Sequence, residues 1–452
     1  MPTTSFYIHP TTGRPIGWAP GTTIRYYVDP GGLGRLTNEQ ARTLLAEAMK
    51  IWENASPYAN VPKFEFAGLL PEDVNKDNYA RYVSGGACFT DSLSSCPSDA
   101  QKNLQTVIIF DDDSTSDSIL NKELCRIGGC GASAGARVFS GSQSNPGNIV
   151  QGIAVFGNDL SASSASLNVG SFVHELGHML GLAHTYVNQQ LFLTSGPTEE
   201  NAAFLPAMEI VGGILKAAAT LNPDDIAGIT ALYPSSTASA NTGTIKGQIL
   251  KSDGTPMESV NVIARNNDDP LCEAYSFLAG RICVREGLHV LNGLTQGGCV
   301  DTDSHHVPIS DFTLTLPPGT YTLEVEEVAD KNLAFTLAPG LVDPFIQGDA
   351  EFWNVSDSAS ESNTDKSFIS LAAGEIKENI NIVLNRSSVT SDRVKYIPLS
   401  AFTPGPGTRC PKEPPVDYDA LIGVSNNNNN GSNTAGRTNT LDPGAGCSLI
   451  PF

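Results

Sequence analysis

Five residues within eleven positions have the types and spacing to do chemistry: His174, Glu175, His178, Gly181 and His184, in the pattern H-E-x-x-H-x-x-G-x-x-H. Positions i and i+4 of a helix share a face, so His174 and His178 can hold one metal ion together. Glu175 stands beside the first ligand, where its carboxylate can reach a metal-held water without ligating. Gly181 can take the left-handed conformation that ends a helix and turns the chain back. That turn brings His184 round as a third nitrogen ligand. Three protein ligands leave the fourth tetrahedral position for water, the arrangement of catalytic rather than structural zinc. A bare H-E-x-x-H arises by accident on amphipathic helices. The full pattern is far harder to reach by chance in a chain with 7 His among 452 residues. One catalytic Zn2+ is therefore expected at His174, His178 and His184, with Glu175 as the catalytic group.

The elements that must position these groups are legible around them. Phe172, Val173, Leu176, Leu180 and Leu182 give the motif helix apolar faces to bury. Upstream, Thr22–Asp29 alternates and reads as a strand, and Asn38–Ala55 as a helix with Ala41, Leu44, Leu45, Ala48, Met49 and Trp52 on one side. Lys63–Ala67, Thr106–Phe110, Ala136–Ser140 and Ile149–Phe156 complete five strands before the motif helix. A last helix is expected from Asn222, which can cap it, through Pro223 in the first turn to Tyr233. The order implies one twisted five-stranded sheet with three main helices, an α+β or α/β domain over residues 1–235.

Residues 236–242 are small and polar and read as a flexible linker. From Gly243 to about residue 387, short alternating strands with Gly and Pro turns spell an all-β sandwich: Thr244–Leu250, Ser259–Ala264, Phe312–Leu316, Thr320–Val325 and Ile380–Leu384. Residues 388–452, rich in Pro, Gly and Asn, are expected to be largely disordered.

A formal charge of −21 argues against nucleic acid and anionic membranes as partners. No stretch is apolar and long enough to span a bilayer. Nine cysteines, at 88, 96, 125, 130, 272, 283, 299, 410 and 447, form no C-x-x-C pair. The close couples 88/96, 125/130 and 272/283 read as disulfides closing small loops, with Cys447 left over. Disulfides place the chain outside the reducing cytosol, hence extracellular or at a cell surface. Met1–Phe6 lacks the basic start and apolar core of an export signal, so that signal is expected to lie outside this sequence.

The zinc segment resembles the metzincin metalloproteases, and residues 15–235 look most like the matrixin branch. Met208 stands where that family's Met-turn is expected, and Leu221–Tyr233 is similar to the matrixin final helix. The resemblance implies that Met208 forms a hydrophobic base under the metal without ligating it, and that Asp225 ties the last helix to that turn. Departures are visible too. Ile210 stands where some branches carry an extra Tyr ligand, and the Pro-x-Tyr wall of the matrixin S1′ pocket is absent. Ca2+ ligands are an open question: Asp111–Asp113 could supply them, although an acidic cluster after a strand is more often a solvated loop. Residues 243–386 resemble a carboxypeptidase-regulatory-like or prealbumin-like sandwich, whose His289, His305 and His306 read as loop residues. Gly444–Leu449 faintly resembles the start of a bacterial C-terminal sorting signal.

The expected reaction is peptide-bond hydrolysis by a monomeric endopeptidase acting on a protein or peptide. Glu175 serves as general base and then general acid. Substrate is expected to lie extended along an edge strand, for which Ala136, Arg137, Val138, Phe139 and Ser140 are the candidates. The competing expectation is a surface binding protein in which the sandwich carries the main role.

Overall fold

The structure, a computed structural model, describes residues 17–79, 82, 106–112, 119, 132–138, 148–157, 165–191, 201, 203–209, 219–257, 260–279, 290–291, 294–295, 310–328, 346, 348–385, 394–402, 410, 416–423 and 448–449. In chain order the N-terminal half contains β1 (Thr23–Val28), α1 (Asn38–Glu53), β2 (Lys63–Leu69), β3 (Thr106–Asp111), β4 (Ala132–Val138), β5 (Ile149–Gly157), α2 (Ala165–Met179) and α3 (Pro223–Leu232). A helical turn, α4 (Ala238–Asn241), leads into β6 (Gly243–Leu250), β7 (Asn261–Asn266), β8 (Ala274–Leu278), β9 (Val290–Leu291) and β10 (Leu294–Thr295). Then follow β11 (Asp311–Leu316), β12 (Gly319–Glu326), β13 (Glu351–Phe352), β14 (Ile369–Leu371), β15 (Ile376–Lys377), β16 (Ile382–Val383), the short helix α5 (Tyr418–Leu421) and β17 (Ser448–Leu449).

The first sheet has the order β17-β4-β5-β3-β1-β2. Strands β2, β1, β3 and β5 run parallel, and β4 is antiparallel to β5. Strand alternation sends the central strand β3 both ways. Ile108 and Phe110 join the core that α1 and α2 cover, whereas Val107 and Ile109 join a smaller core on the opposite face. Helix α1 opens with a capping box, Thr37 accepting from the Gln40 N–H while the Gln40 side chain accepts from the Thr37 N–H. It buries Leu44, Leu45, Met49 and Trp52 against α2 and the sheet, each contributing about 1.5–3 kcal/mol of transfer free energy.

Two sheets form the second unit, β11-β6-β15 with β16 also on β6, and β13-β12-β7-β8 with β14 also on β12. Their facing side chains, among them Ile245, Val262, Ala264, Leu314, Leu323 and Val325, make one core. The other face of β7, β12 and β8 is buried too, because the first unit lies on it: Ile263 and Ala274 pack with Val187, and Leu278 packs with Tyr186.

Several expectations are corrected here. The sheet has a sixth strand, since β17 from the C-terminal segment pairs parallel with Ser133 and Ala134 of β4. Of the C-terminal segment expected to be largely disordered, the described part is ordered: Tyr418 enters the core of the first unit, and Phe402 and Ile397 pack with Phe352. The stretch read as a flexible linker holds α4, and the two units share a buried, hydrogen-bonded interface. Cys272 bonds Cys410 across 138 residues of sequence, which overturns the 272/283 pairing. The other seven cysteines, and His289, His305 and His306, lie outside the described residues. Among the described residues, no helix is long and apolar enough to cross a membrane.

Candidate metal centre

Helix α2 carries His174, Glu175 and His178 on its last two turns. It ends as a Schellman motif: the Leu182 N–H donates to Gly177 O and the Gly181 N–H to His178 O, both at 2.9 Å, with Gly181 at φ 101°. A side chain at Gly181 would be strained there. The turn is clamped by aromatic donors, the Trp18 indole on Met179 O at 2.9 Å and the Tyr233 hydroxyl on Leu180 O. Higher up, the Trp52 indole donates to Val173 O at 2.7 Å and joins α1 to α2.

The reversal brings His184 back over the helix. The three Nε2 atoms stand 3.0, 3.1 and 3.1 Å apart. Among the described residues these are the three ligand-type side chains whose donor atoms all lie within 4.8 Å of one another. Two tautomers are fixed by their partners. His174 Nδ1 faces Ala207 O at 2.6 Å, and His178 Nδ1 faces Leu182 O at 2.8 Å. A carbonyl only accepts, so each Nδ1 carries the proton and each Nε2 presents a bare lone pair. Burial holds His174 down to about 4 and both His178 and His184 well below the usual imidazole range, so all three are neutral at pH 7. Converging lone pairs repel unless a cation lies between them. Around a tetrahedral zinc with bonds of about 2.0–2.1 Å, neighbouring nitrogens lie about 3.3–3.4 Å apart, close to the spacing seen. The three histidines thus fit a metal ion, and the Nδ1 hydrogen bonds are the outer shell that such ligands require.

Glu175 is fully buried beside them. Met208 underlies the helix: a Cβ at Gly177 would stand 2.2 Å from Met208 Sδ, so only glycine permits this packing. The Met208 turn is held from below by Asp225, whose carboxylate accepts from the N–H groups of Ala207 at 2.8 Å, Met208 at 3.0 Å and Asn222 at 2.8 Å. Burial pushes Asp225 up to about 6, and these three donors keep it ionised at neutral pH. The same turn is tied to the third ligand, since the Thr185 N–H donates to Met208 O at 2.9 Å.

The residues after His184 are gripped by the sandwich. Thr185 Oγ1 meets Ser276 Oγ at 2.7 Å, and Asn261 Nδ2 donates to Tyr186 O at 3.1 Å. Asn188, at φ 58°, donates to Leu271 O and Phe204 O and accepts from Arg265 Nη1 at 2.7 Å. Arg265 is wholly buried, pairs with Glu324 at 2.6 Å and stacks over the Phe402 ring at 4.4 Å. None of Gly177, Asn188 and Arg265 stands out in the sequence reading. Gly177 leaves a trace, as a glycine inside a helix costs about 1 kcal/mol relative to alanine and needs a reason. Arg265 leaves none.

The expected substrate edge is displaced. The strand is β4, Ala132–Val138, which contains Ala136, Arg137 and Val138, whereas Phe139 and Ser140 lie outside the described residues. The small residues Ala132–Ala136 carry little strand propensity of their own and are strand because β5 pairs them. Strand β4 runs alongside α2, but β17 occupies its outer side at Ser133 and Ala134. Asp111 is the buried last residue of β3, Asp112 is exposed, and Asp113 lies outside the described residues. The chain matches no family model and no curated protein.

Proposed function

We propose that this chain is a zinc-dependent endopeptidase of the metzincin type. The observation that carries the reading is the convergence of three neutral histidine Nε2 atoms, 3.0–3.1 Å apart, beside a buried glutamate one residue along the same helix. When bound, zinc supplies a Lewis acid that activates water near neutral pH and polarises a carbonyl. The chain's own residues do the rest. Ala207 O and Leu182 O hold the His174 and His178 rings so that their Nε2 lone pairs stay aimed at one point. Glu175 takes a proton from the attacking water as its oxygen bonds the scissile carbonyl carbon. It then passes that proton to the amine nitrogen as the C–N bond breaks. Met208 packs against Gly177 of the helix that carries His174 and His178. An extended substrate adds main-chain hydrogen bonds along β4.

The test is cleavage of an unstructured protein by the zinc-loaded chain, repeated after removal of zinc with a chelator and again after its return. Cleavage that disappears and reappears with zinc is the expected result. Cleavage indifferent to the chelator contradicts it.

A further inference from the structure

The three histidines are not held alike. His174 and His178 each have Nδ1 fixed by a carbonyl, whereas the buried His184 Nδ1 makes no hydrogen bond among the described residues. A ligating ring is aimed by the partner of its other nitrogen, so the third ligand has to be aimed by something else. The residue that follows it has the contacts to do so. Thr185 is buried and tied at two points: its N–H donates to Met208 O at 2.9 Å, and its Oγ1 meets Ser276 Oγ at 2.7 Å.

The second tie comes from the other unit. Side chains of β8 alternate between two faces. Tyr275 enters the sandwich core, while Ala274 packs with Val187 and Leu278 with Tyr186, both in the segment after His184. Ser276 falls between Ala274 and Leu278 on the same face, opposite Ile263 of β7, so the strand register carries its hydroxyl to Thr185. Its backbone is fixed as well, because the Ser276 N–H donates to the buried Asp224 Oδ1 at 2.9 Å. Asp224 and Asp225 are neighbours in the first turn of α3. Asp224 holds β8 of the sandwich and Asp225 holds the turn of Met208, so one helical turn sets the spacing of the two ties on Thr185. Where all of these groups are buried, a hydroxyl that loses its partner finds no water to replace it.

We propose that Ser276 is a positioning residue for the third ligand: through Thr185 the sandwich aims the His184 ring, and Asp224 keeps Ser276 in place. The metal site is then completed by the second unit rather than contained in the first. This rests on the reading of the three histidines as a metal site, and not on the reaction carried out there.

The experiment is titration of the metal-stripped full chain with zinc against a competing chelator, and with cobalt(II), whose visible absorption reports ligand geometry. The wild type is expected to take up one metal ion. Ser276→Ala should weaken zinc about tenfold, the lower end of what losing a ligand's supporting contact costs, and shift the cobalt band. Thr185→Val should do the same. The double variant should lose no more than either single one, because both remove the same bond. Val262→Ala, in the sandwich core, lowers the unfolding midpoint without touching that bond and should bind zinc as the wild type does. Undiminished zinc affinity in Ser276→Ala, additive losses in the double variant, or an equal loss in Val262→Ala overturns the proposal. A folded wild type that takes up no zinc overturns the metal-site reading, and the proposal with it.

Discussion

At the residue scale, the three-histidine group is specified by protons as much as by the histidines themselves. Because Ala207 O and Leu182 O each claim an Nδ1 proton, His174 and His178 have no neutral tautomer other than the ligating one. Gly177 is the least conspicuous part of this arrangement. Gly177→Ala would drive a methyl group into Met208 Sδ and Trp52, and the expected cost is about 1–3 kcal/mol of stability with loosened zinc. Thermal unfolding and zinc retention on the purified variant check this, and a variant as stable and zinc-replete as the wild type contradicts it. The grouping of the three histidines with Glu175 was legible in the sequence because the motif is local: one helix and one glycine turn carry all four. The outer shell was not, since Ala207 O is a backbone atom 33 positions from the ring it holds.

At the element scale, the sandwich is part of the frame of the metal centre. Strand β7 shows how: Val262 and Ala264 face the sandwich core, while Ile263 and Arg265 face the segment that follows His184. Alternation along 261–266 announced a strand, but it could not say that the second face is buried as well. Nor could it show that Arg265 anchors Asn188 from 77 residues away. Arg265→Met strands Glu324 as an unpaired buried charge and releases Asn188, so a loss of about 3–5 kcal/mol is expected. Weaker zinc retention should accompany it, whereas unchanged unfolding and zinc retention would show that the grip is idle. Strand β17 gives a second element-scale prediction. It occupies the outer side of β4 at Ser133 and Ala134, so a chain ending at residue 423, which keeps Cys410 and Tyr418, should cleave an unstructured substrate faster than the full chain. Equal or lower kcat/KM for the shortened chain contradicts substrate pairing along β4.

At the scale of the whole molecule, the two units and the C-terminal segment are joined by burial, hydrogen bonds and the Cys272–Cys410 disulfide. The sequence reading found the long strands β1, β2, β3, β5, β6, β7, β11 and β12, missed β8, β13, β14, β15 and β17, and misassigned Cys272, because the partner that geometry selects lies 138 residues on rather than in the next loop. Acidity also acts at this scale. Glu351 is held up to about 8 and Asp357 up to about 6, above the ~4 of an unfolded carboxyl. The folded chain therefore keeps protons that the unfolded chain has lost, and this contribution to stability falls as pH rises from about 4 to 8. Glu351→Gln should therefore flatten the decline of the thermal unfolding midpoint over that window, and a curve parallel to the wild type's would contradict it. The central claim, hydrolysis through Glu175 at a three-histidine zinc centre, is tested most directly by measuring bound zinc and turnover on one preparation of Glu175→Gln. The account predicts one zinc per chain, as in the wild type, with turnover reduced about 10²–10⁴-fold, the worth of a general base. Full turnover with zinc in place would contradict it.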